Sequence, residues 1–558
     1  MFSKRMKHAH RYQEIIRALL RNGFGYLVKD LGLTEAFSPL IKKMGRMQPS
    51  YRRTLGERIR LLLEELGPTF IKFGQVMSTR RDLFPQHIIH ELEKLQDNVP
   101  PFSFSEVTEI IDAELGGDIA GIFAEFQEKP IASASIGQVH FARLHTGEHV
   151  AVKVQRPNIT KLIYTDLEII KDLSQLASSK LDWVKKYPII ELIDEFAHSL
   201  KEELDFTIEG RNAEKVAKQF KSSEIVQVPT IYWNYSTGKI LTMEYLAGIK
   251  INDIKQMEEL GYNRKKVARK FANSLLKQIL EFGFFHGDPH PGNLLILPGE
   301  RIGFLDFGMV GRLSNEMKYQ FVSFVISLKK GNSDAIIKVM FQMGVLPDDI
   351  ELTTIRLDIE KMRDKYYDVP LSQLSFGEII HDFFHIAQRH QIHIPAELTI
   401  LGKSLMLVEG IVEFLDPSCN MMDLAEPFAE QLAKERFHPK KLAENAWHHL
   451  NDYADLASSF PKNIKELTTA LKKGKLRFEI STPDMHAVLQ KMDKISNRLS
   501  LSIVLLAFSI LMVGLIIGSS ISGQSTLLWK VPAIEIGFLV AGLMFLWLII
   551  SIFRSGKF

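Results

Sequence analysis

Two aspartates and an asparagine have the types and spacing of a site that handles phosphate groups. Asp288 is followed five residues later by Asn293, and Asp306 begins an Asp-Phe-Gly sequence shortly afterwards. Carboxylate and amide oxygens are ligands that Mg²⁺ prefers, and bound Mg²⁺ bridges phosphate oxygens. Asn293 and Asp306 are therefore the predicted metal ligands. Asp288 is a predicted catalytic residue, because its carboxylate lies where it can orient or deprotonate an incoming hydroxyl.

Lys153 lies upstream of these residues and ends the sequence Val-Ala-Val-Lys. This run matches the third strand of protein kinases, and the loops at Asp288 and Asp306 match their catalytic and metal loops. The lysine of that strand pairs with the α- and β-phosphates as a compact positive charge. Together these residues predict a site for ATP and Mg²⁺, with Lys153 as a second catalytic residue.

The segment before Lys153 departs from the glycine-rich loop of kinases. Residues 132–139 read Ala-Ser-Ala-Ser-Ile-Gly-Gln-Val, so alanines replace the first two glycines of G-x-G-x-x-G-x-V. Glycine permits backbone conformations that alanine resists, and we expect this loop to cover the nucleotide more stiffly. Its predicted nucleotide-binding residues are Ala132, Ala134, Ser135, Gly137 and Val139.

Lys153 also needs a carboxylate partner. Glu168 lies fifteen residues further on, which is nearly the spacing of ordinary kinases. Glu209 lies much further along the chain, in the acid-containing run 203–212, and would imply an insertion between strand and helix. Spacing favours Glu168 and the clustered acids favour Glu209, so the residues alone leave both open.

Two histidines of the same loop, His286 and His290, are residues of a type that can bind metals. No second cluster of His or Cys accompanies them in the sequence, so structural hydrogen-bonding roles are predicted instead. The single cysteine, Cys419, excludes an internal disulfide framework and a cysteine-based zinc cluster. The formal net charge of +3 gives no case for nucleic-acid binding, and no nucleic-acid partner is expected.

The elements that must position these residues change in character along the chain. Residues 1–125 have a helical pattern and predict an N-terminal extension. Residues 126–248 contain short β-branched strands at 137–144, 148–155, 226–232 and 239–245, interrupted by helical stretches at 162–178 and 191–220. Residues 249–490 are predicted to be mostly helical, with a hairpin at 294–305. A small sheet-rich lobe before a larger helical lobe is the order found in kinases.

The C-terminal part predicts a transmembrane hairpin at 499–553. The runs 499–529 and 536–553 contain no charged residue, and a helix needs about 20 apolar residues to cross a bilayer. Basic residues flank the pair on both sides, so the positive-inside rule places both ends and the large N-terminal body in the cytoplasm. Gly514 and Gly518 form a G-x-x-x-G pattern that joins either the two spans or the two chains of a homodimer.

On these residues the chain resembles the UbiB (AarF-type) family of atypical protein-kinase-like proteins over nearly all of residues 35–415. The sequence 72–75, Lys-Phe-Gly-Gln, matches the family's K-x-G-Q motif, 132–140 its alanine-rich loop, and Glu203 with Asp205 its E-x-D motif. The resemblance implies that Glu209, not Glu168, is the partner of Lys153. It also implies that the K-x-G-Q segment folds over the site, with Lys72 and Gln75 near the phosphates and held partly by Glu203.

The fold implied is α+β, an atypical protein-kinase-like two-lobed fold with a helical N-terminal extension and two C-terminal transmembrane helices. The function implied is that of a Mg-ATP-dependent atypical kinase or ATPase at the bacterial cytoplasmic membrane, supporting the biosynthesis of isoprenoid quinones (ubiquinone or menaquinone). The implied partners are membrane lipids, hydrophobic quinone precursors and quinone-biosynthesis enzymes. No Ala-Pro-Glu follows Gly308, which argues against protein phosphorylation in trans. A non-catalytic nucleotide-binding scaffold and a small-molecule or lipid kinase are the alternatives.

Overall fold

The computed structural model describes most of the first 436 residues and only single positions beyond residue 498. The described ranges are 8–33, 53–95, 100–182, 184–186, 188–346, 350, 352–370 and 373–436. The chain divides into two compact units, Met1–Asn445 and Ala446–Phe558, and every helix and strand named below belongs to the first. Among the described residues, no helix is long and apolar enough to cross a membrane. The predicted hairpin at 499–553 lies outside the described residues apart from the single positions.

The helices and strands of the described residues come in blocks, with the strands between residues 123 and 312 and helices before and after them. The helices are α1 (Ala9–Arg21), α2 (Gly25–Asp30), α3 (Leu55–Leu66), α4 (Pro68–Thr79), α5 (Gln86–Leu92), α6 (Phe104–Leu115), α7 (Ile119–Ile122), α8 (Ile159–Lys180), α9 (Ile189–Glu203), α10 (Phe206–Gln219), α11 (Ile254–Glu259), α12 (Arg264–Leu276), α13 (Asn315–Lys329), α14 (Ser333–Gln342), α15 (Leu352–Tyr366), α16 (Phe376–Arg389), α17 (Ala396–Leu415) and α18 (Met421–Arg436). The strands are β1 (Phe123–Phe126), β2 (Ala132–Ser133), β3 (Gly137–Leu144), β4 (His149–Gln155), β5 (Val226–Gln227), β6 (Ile240–Glu244), β7 (Ile249–Lys250), β8 (Phe284–His286), β9 (Leu294–Leu297), β10 (Arg301–Phe304) and β11 (Val310–Arg312).

The N-terminal extension turns sharply before the helix that carries the K-x-G-Q motif. Gly67 adopts φ +91°, a conformation that residues with a Cβ rarely adopt, and it ends α3. Pro68 then begins α4, where its fixed φ suits the first helical position and its missing N–H costs nothing. Helix α4 contacts α8, α9 and α17, so the turn brings the motif helix onto both lobes.

The smaller lobe is an antiparallel sheet covered on one face by α6. Its strand order is β1-β3-β4-β6, and β2 pairs with β3. Val107 and Ile111 of α6 are fully buried against apolar side chains of this sheet. Since a one-residue slip would turn every side chain to the opposite face, this buried face fixes the register that places Lys153 opposite Val139 and Leu241.

The larger lobe packs most of its helices around short strands that carry the catalytic loops. Strands β5, β10, β9 and β7 form one small sheet, and β8 pairs with β11. The predicted hairpin is confirmed, because β9 and β10 pair antiparallel with Leu297 opposite Arg301. The apolar core of this lobe runs from α12 through α17, and Phe271, Ile279 and Phe304 are fully buried in it.

Two predicted elements differ from the structure. The strand predicted at 226–232 is only β5, because the chain then leaves the sheet and pairs again at Ile231 alone. The helix predicted at 191–220 is two helices, α9 and α10. The chain breaks at Asp205, whose carboxylate accepts a hydrogen bond from Thr207 N–H at 3.0 Å and caps α10. Such a cap competes with continuation of the helix through that residue.

Candidate nucleotide site

Strand β4 presents Lys153 to the space between the lobes. Lys153 lies between the buried Val152 and Val154, and its own side chain is 15% exposed. Its Nζ donates a hydrogen bond to Glu209 Oε2 at 2.8 Å and lies 3.8 Å from Asp306 Oδ2. The aromatic ring of Phe206 lies 5.2 Å from the same ammonium group. Lys153 of the smaller lobe therefore contacts both Glu209 on α10 and Asp306 of the Asp-Phe-Gly sequence.

Helix α10 supplies both the carboxylate for Lys153 and a clamp on the Asp-Phe-Gly sequence. Glu209 and Asn212 are three residues apart, so they lie on the same face of the helix. Asn212 Nδ2 donates to the backbone oxygen of Phe307 at 3.1 Å, and this bond is buried. Glu168 lies elsewhere, on α8, where it contacts His8 at 3.1 Å. The spacing argument for Glu168 is therefore wrong, and the structure gives Lys153 the partner that the family resemblance implied.

The charges of this cluster reinforce one another. Burial disfavours the Lys153 ammonium, but the carboxylates of Asp306 and Glu209 outweigh that effect and raise the pKa of Lys153 above its ordinary value. The positive charge of Lys153 lowers the pKa of Asp306 to about 2. Burial raises the pKa of Glu209 to about 7, and Lys153 opposes that rise. Lys153 and Asp306 are consequently both charged at neutral pH, as phosphate binding and Mg²⁺ binding require.

The catalytic loop is held by its two histidines. His286 is fully buried; its Nδ1 accepts from Asp288 N–H at 3.1 Å and its Nε2 donates to the oxygen of Leu305 at 2.9 Å. Burial lowers the pKa of His286, which keeps the ring neutral. His290 Nδ1 accepts from Gly292 N–H at 2.9 Å. The predicted hydrogen-bonding roles of both histidines are confirmed, and the part of the chain that the structure describes has no cluster of three His, Cys, Asp or Glu suited to a metal.

Asn293 and Asp306 are brought together by the β9–β10 hairpin. Leu305 N–H donates to the backbone oxygen of Asn293 at 2.8 Å, and Asn293 Nδ2 donates to the backbone oxygen of Asp288 at 3.3 Å. Asp306 adopts φ +51°, which is uncommon for a residue other than glycine and concentrates at functional sites. Its side chain is half exposed. The amide oxygen of Asn293 and the carboxylate oxygens of Asp306 are of the types that Mg²⁺ takes together with phosphate and water.

The alanine-rich loop closes tightly over the end of β3. Ala134 N–H donates to the backbone oxygen of Gly137 at 2.8 Å. A Cβ on Gly137 would lie 2.5 Å from the backbone oxygen of Val154, so this position admits only glycine. Ser135 is fully buried, and its Oγ has no hydrogen-bond partner among the described residues. A buried hydroxyl without a partner is costly, so Ser135 is a group that a bound ligand can satisfy.

The K-x-G-Q helix α4 lies beside this cluster. Lys72 Nζ contacts Glu203 Oε1 at 2.7 Å, and its charge contributes to the low pKa of Asp306. Gln75 Nε2 donates to the backbone oxygen of Leu95 at 3.2 Å. Lys72 is thus held by Glu203, as the family resemblance implied, while Gln75 joins α4 to the segment after α5.

Sequence reasoning did not find two residues of the site. Asn212 lies three residues after Glu209, a helical spacing that could have identified it. Lys403 lies on α17, and its Nζ contacts Asp288 Oδ1 at 3.0 Å. Because 115 residues separate Lys403 from Asp288, no local pattern could have found this contact.

Comparison with known families gives matches along most of the chain. Residues 94–340 match the ABC1 atypical kinase-like domain, 359–420 match the UbiB helical domain, and 483–554 match the ABC1/UbiB kinase-like C-terminal domain. The third match covers the region of the predicted hairpin. The site residues from Lys153 to Asp306 lie in the first matched region and Lys403 lies in the second, whereas Lys72 and Gln75 precede both.

Several known proteins are similar over most of their length. An uncharacterized protein of Synechocystis is 36% identical over 446 residues, covering 79% of this chain and 76% of that protein. An uncharacterized protein encoded in the hydrogenase 1 5' region of Clostridium pasteurianum is 33% identical over 98% of this chain and 99% of its own length. A protein of Cellvibrio japonicus named probable protein kinase UbiB is 32% identical over 75% of this chain and 76% of its own. The chain belongs to the ABC1/UbiB family of atypical kinase-like proteins.

Proposed function

We propose that the protein binds Mg-ATP between its lobes and acts as an atypical kinase or ATPase. The observation that carries this proposal is the Lys153–Glu209 pair at 2.8 Å with Asp306 3.8 Å from the same ammonium. A buried, charged lysine between two carboxylates is costly unless it serves a ligand or a tightly packed core. Here one of the carboxylates is half exposed, which leaves it accessible to a metal.

Each residue of the site has a role in this proposal. Lys153 pairs with the α- and β-phosphates, and Glu209 fixes its position. Asn293 and Asp306 would hold Mg²⁺, which would neutralise negative charge that develops on the phosphates during transfer. Asp288 orients or deprotonates the attacking hydroxyl or water. Of the loop 132–139, the Ser135 hydroxyl is the group we expect to donate to the nucleotide.

The acceptor is more consistent with water or a small or lipid molecule than with a peptide. Only residues 309–314 separate Gly308 from the start of α13, so the chain has no long segment in the place where kinases anchor peptides. Helix α4 also lies beside the site through the Lys72–Glu203 contact. Both features reduce the room that an extended peptide would need.

The proposal extends to the membrane and to quinone metabolism. The uncharged runs 499–529 and 536–553, with basic residues on both flanks, support a hairpin that anchors the body on the cytoplasmic side of a bacterial membrane. Resemblance to UbiB proteins supports a role in isoprenoid quinone biosynthesis. The partners we propose are therefore membrane lipids, hydrophobic quinone precursors and their biosynthetic enzymes, with the Gly514 and Gly518 pattern as a contact for a homodimer.

A nucleotide-binding scaffold without turnover is the second candidate. Alanines at 132 and 134 in place of glycines favour it, because they stiffen the loop over the phosphates. The intact set of Asp288, Asn293 and Asp306 favours catalysis. A substitution separates the two functions: if Asp288→Asn keeps biological function while Asp306→Asn destroys it, binding without chemistry is the better description. We expect both substitutions to abolish function.

The direct test follows γ-labelled ATP with purified full-length protein, Mg²⁺ and liposomes, beside Asp306→Asn. Release of labelled phosphate that rises with liposomes or a quinone precursor and is absent in the variant is the result expected of an ATPase. Label retained on a lipid or protein would identify a kinase and its acceptor class. Mg²⁺-dependent nucleotide binding that persists unchanged in Asp306→Asn would refute the metal-ligand role of Asp306.

A further inference from the structure

Helix α17, in the region matched to the UbiB helical domain, places a lysine directly on the catalytic loop. Lys403 Nζ lies 3.0 Å from Asp288 Oδ1. The lysine side chain is 25% exposed and the aspartate 31%, so the pair lies at the wall of the site rather than in free solvent. None of the sequence motifs above includes this lysine.

The position of Lys403 is fixed by its neighbour in the helix. Ser404 is fully buried, and its hydroxyl lies 3.2 Å from the backbone oxygen of His286 and 3.1 Å from that of Gly287. A Cβ on Gly287 would lie 3.1 Å from a methyl carbon of Ile400, one turn earlier in α17. The helix therefore packs against the backbone of the catalytic loop without a gap. A lysine at position 403 is held at Asp288 by the fold, unlike a surface lysine that meets an acid by chance.

The chemistry of the loop limits what lies near that ammonium group. An attacking oxygen must approach the transferring phosphorus to about 3–3.5 Å, and Asp288 must reach the proton on that oxygen. The terminal phosphate therefore lies within a few ångströms of Asp288, and so within reach of the four-carbon stem of Lys403. A lysine ammonium has three N–H donors, so one of them can bond Asp288 while another bonds a phosphate oxygen.

We propose that Lys403 contacts the terminal phosphate of bound ATP while it holds the carboxylate of Asp288. This role of Lys403 rests on the proposed nucleotide site, to which it adds a residue that recognises the terminal phosphate. Lys153 and Lys72 have other carboxylates, Glu209 and Glu203, at 2.8 and 2.7 Å. Lys403 contacts Asp288, the carboxylate that faces the acceptor. It therefore distinguishes ATP from ADP, which lacks the group it contacts.

The test compares the binding of β,γ-imido-ATP and ADP, each with Mg²⁺, to the full-length protein by calorimetry. Lys403→Met should weaken imido-ATP binding by about tenfold, the effect of one charge-assisted hydrogen bond. ADP binding should change by less than about twofold. Lys403→Arg should retain most of the affinity for imido-ATP, because it keeps a cation at this position. Lys434→Met is the matched control: Lys434 is exposed on α18, and its ion pair among the described residues is with Glu430 one turn away, so neither affinity should change.

A second pair of variants separates a phosphate contact from a structural ion pair. Asp288→Asn should bind imido-ATP at least as tightly as the wild type, and Asp288→Asn with Lys403→Met should lose about tenfold relative to Asp288→Asn. Equal weakening of both nucleotides by Lys403→Met, or no difference between Asp288→Asn and the double variant, would overturn the role of Lys403. A wild type that binds neither nucleotide would instead overturn the proposed site itself. Melting temperatures identify any variant that fails to fold. If Lys403→Met is one of them, the imido-ATP affinities of Lys403→Arg and Asp288→Asn, both of which we expect to be close to or above that of the wild type, test the role of Lys403.

Discussion

Three lysines and their carboxylates define the candidate site at the scale of single residues. Lys153, Lys72 and Lys403 contact Glu209, Glu203 and Asp288 at 2.7–3.0 Å. They come from a strand, the N-terminal extension and a helix of the larger lobe. Because the site is assembled from such distant segments, it depends on the position of each side chain. Replacing one charged side chain by an uncharged one of similar size should therefore show what that residue contributes to activity.

Glu209 should be essential for turnover because it positions Lys153. Glu209→Gln keeps the size of the side chain but weakens its hold on the ammonium, and misplacement by about 1 Å costs about 100-fold in rate. ATP turnover of the purified variant measures this loss. Glu168→Gln is the control, because Glu168 is half exposed and pairs with His8. Its rate should match the wild type. Equal losses in the two variants would show that Glu209 has no special role.

Short motifs in the sequence predicted which residues lie near one another. The structure places Asp306 3.8 Å from Lys153 and joins Asn293 to Asp288 by a hydrogen bond of 3.3 Å. These motifs could be recognised because the spacing within each reflects a local loop. The partner of Lys153 could not be assigned by spacing, since the insertion of α8 and α9 places Glu209 far along the chain yet 2.8 Å away in space. The contact of Lys403 with Asp288 could not be predicted either, because it depends on the packing of α17 against the catalytic loop and the two residues are far apart in the sequence.

At the scale of elements, strands with buried partners on both sides were predicted almost to the residue. The prediction 137–144 coincides with β3, and 148–155 exceeds β4 by one residue. Strand β5 was overestimated because β-branched residues also occur where the chain merely packs against a sheet. The long helix at 191–220 was predicted unbroken because its apolar periodicity continues through the cap at Asp205. Tertiary contacts therefore determine both the length of β5 and the break between α9 and α10.

The sheet of the smaller lobe contains a histidine that should make its stability depend on pH. His140 on β3 is fully buried. Its Nδ1 lies 2.8 Å from the backbone oxygen of Gln127, and its Nε2 lies 3.0 Å from the amide nitrogen of Gln138. These partners suit a neutral ring that donates at Nδ1 and accepts at Nε2. Burial lowers the pKa of His140 below the ordinary 6.5.

Stability should therefore decrease as pH falls below about 6.5, because the unfolded chain then takes up a proton that folded His140 resists. His140→Gln removes this difference, so its stability should decrease less steeply over the same range. Thermal unfolding between pH 5 and 8, compared with the wild type, measures the two slopes. The comparison isolates His140 because other buried histidines, such as His286, are present in both proteins. Parallel slopes would show that His140 is protonated equally easily in both states.

At the scale of the whole molecule, one buried ion pair joins the N-terminal extension to the larger lobe. Arg80 and Asp82 follow α4, and their side chains are 3% and 0% exposed. Arg80 Nη2 also lies 3.0 Å from His393 Nδ1, and Ile394 N–H donates to Asp82 Oδ2 at 3.3 Å. His393 and Ile394 lie just before Pro395, the residue that precedes α17. The helix with the K-x-G-Q motif and the helix with Lys403 therefore share one anchor.

Removing one member of this pair should destabilise the protein far more than removing both. Arg80→Met leaves the Asp82 carboxylate buried without its cation and should lower the free energy of unfolding by about 3–5 kcal/mol. Arg80→Met combined with Asp82→Leu leaves no buried charge, so its loss should be smaller than that of Arg80→Met alone. Arg81→Met is the neighbouring control, since Arg81 pairs with the exposed Glu93, and its loss should be at most about 1 kcal/mol.

Urea unfolding of the purified full-length protein, followed by intrinsic fluorescence, measures these three variants together with Asp82→Leu alone. Because the anchor lies between α4 and α17, Arg80→Met should also weaken nucleotide binding, whereas Arg81→Met should not. A double variant that loses as much stability as the sum of its single substitutions would mean that Arg80 and Asp82 act independently. The two helices would then be positioned by apolar packing alone, and the charge at the anchor would have no part in holding Lys72 and Lys403 at the site.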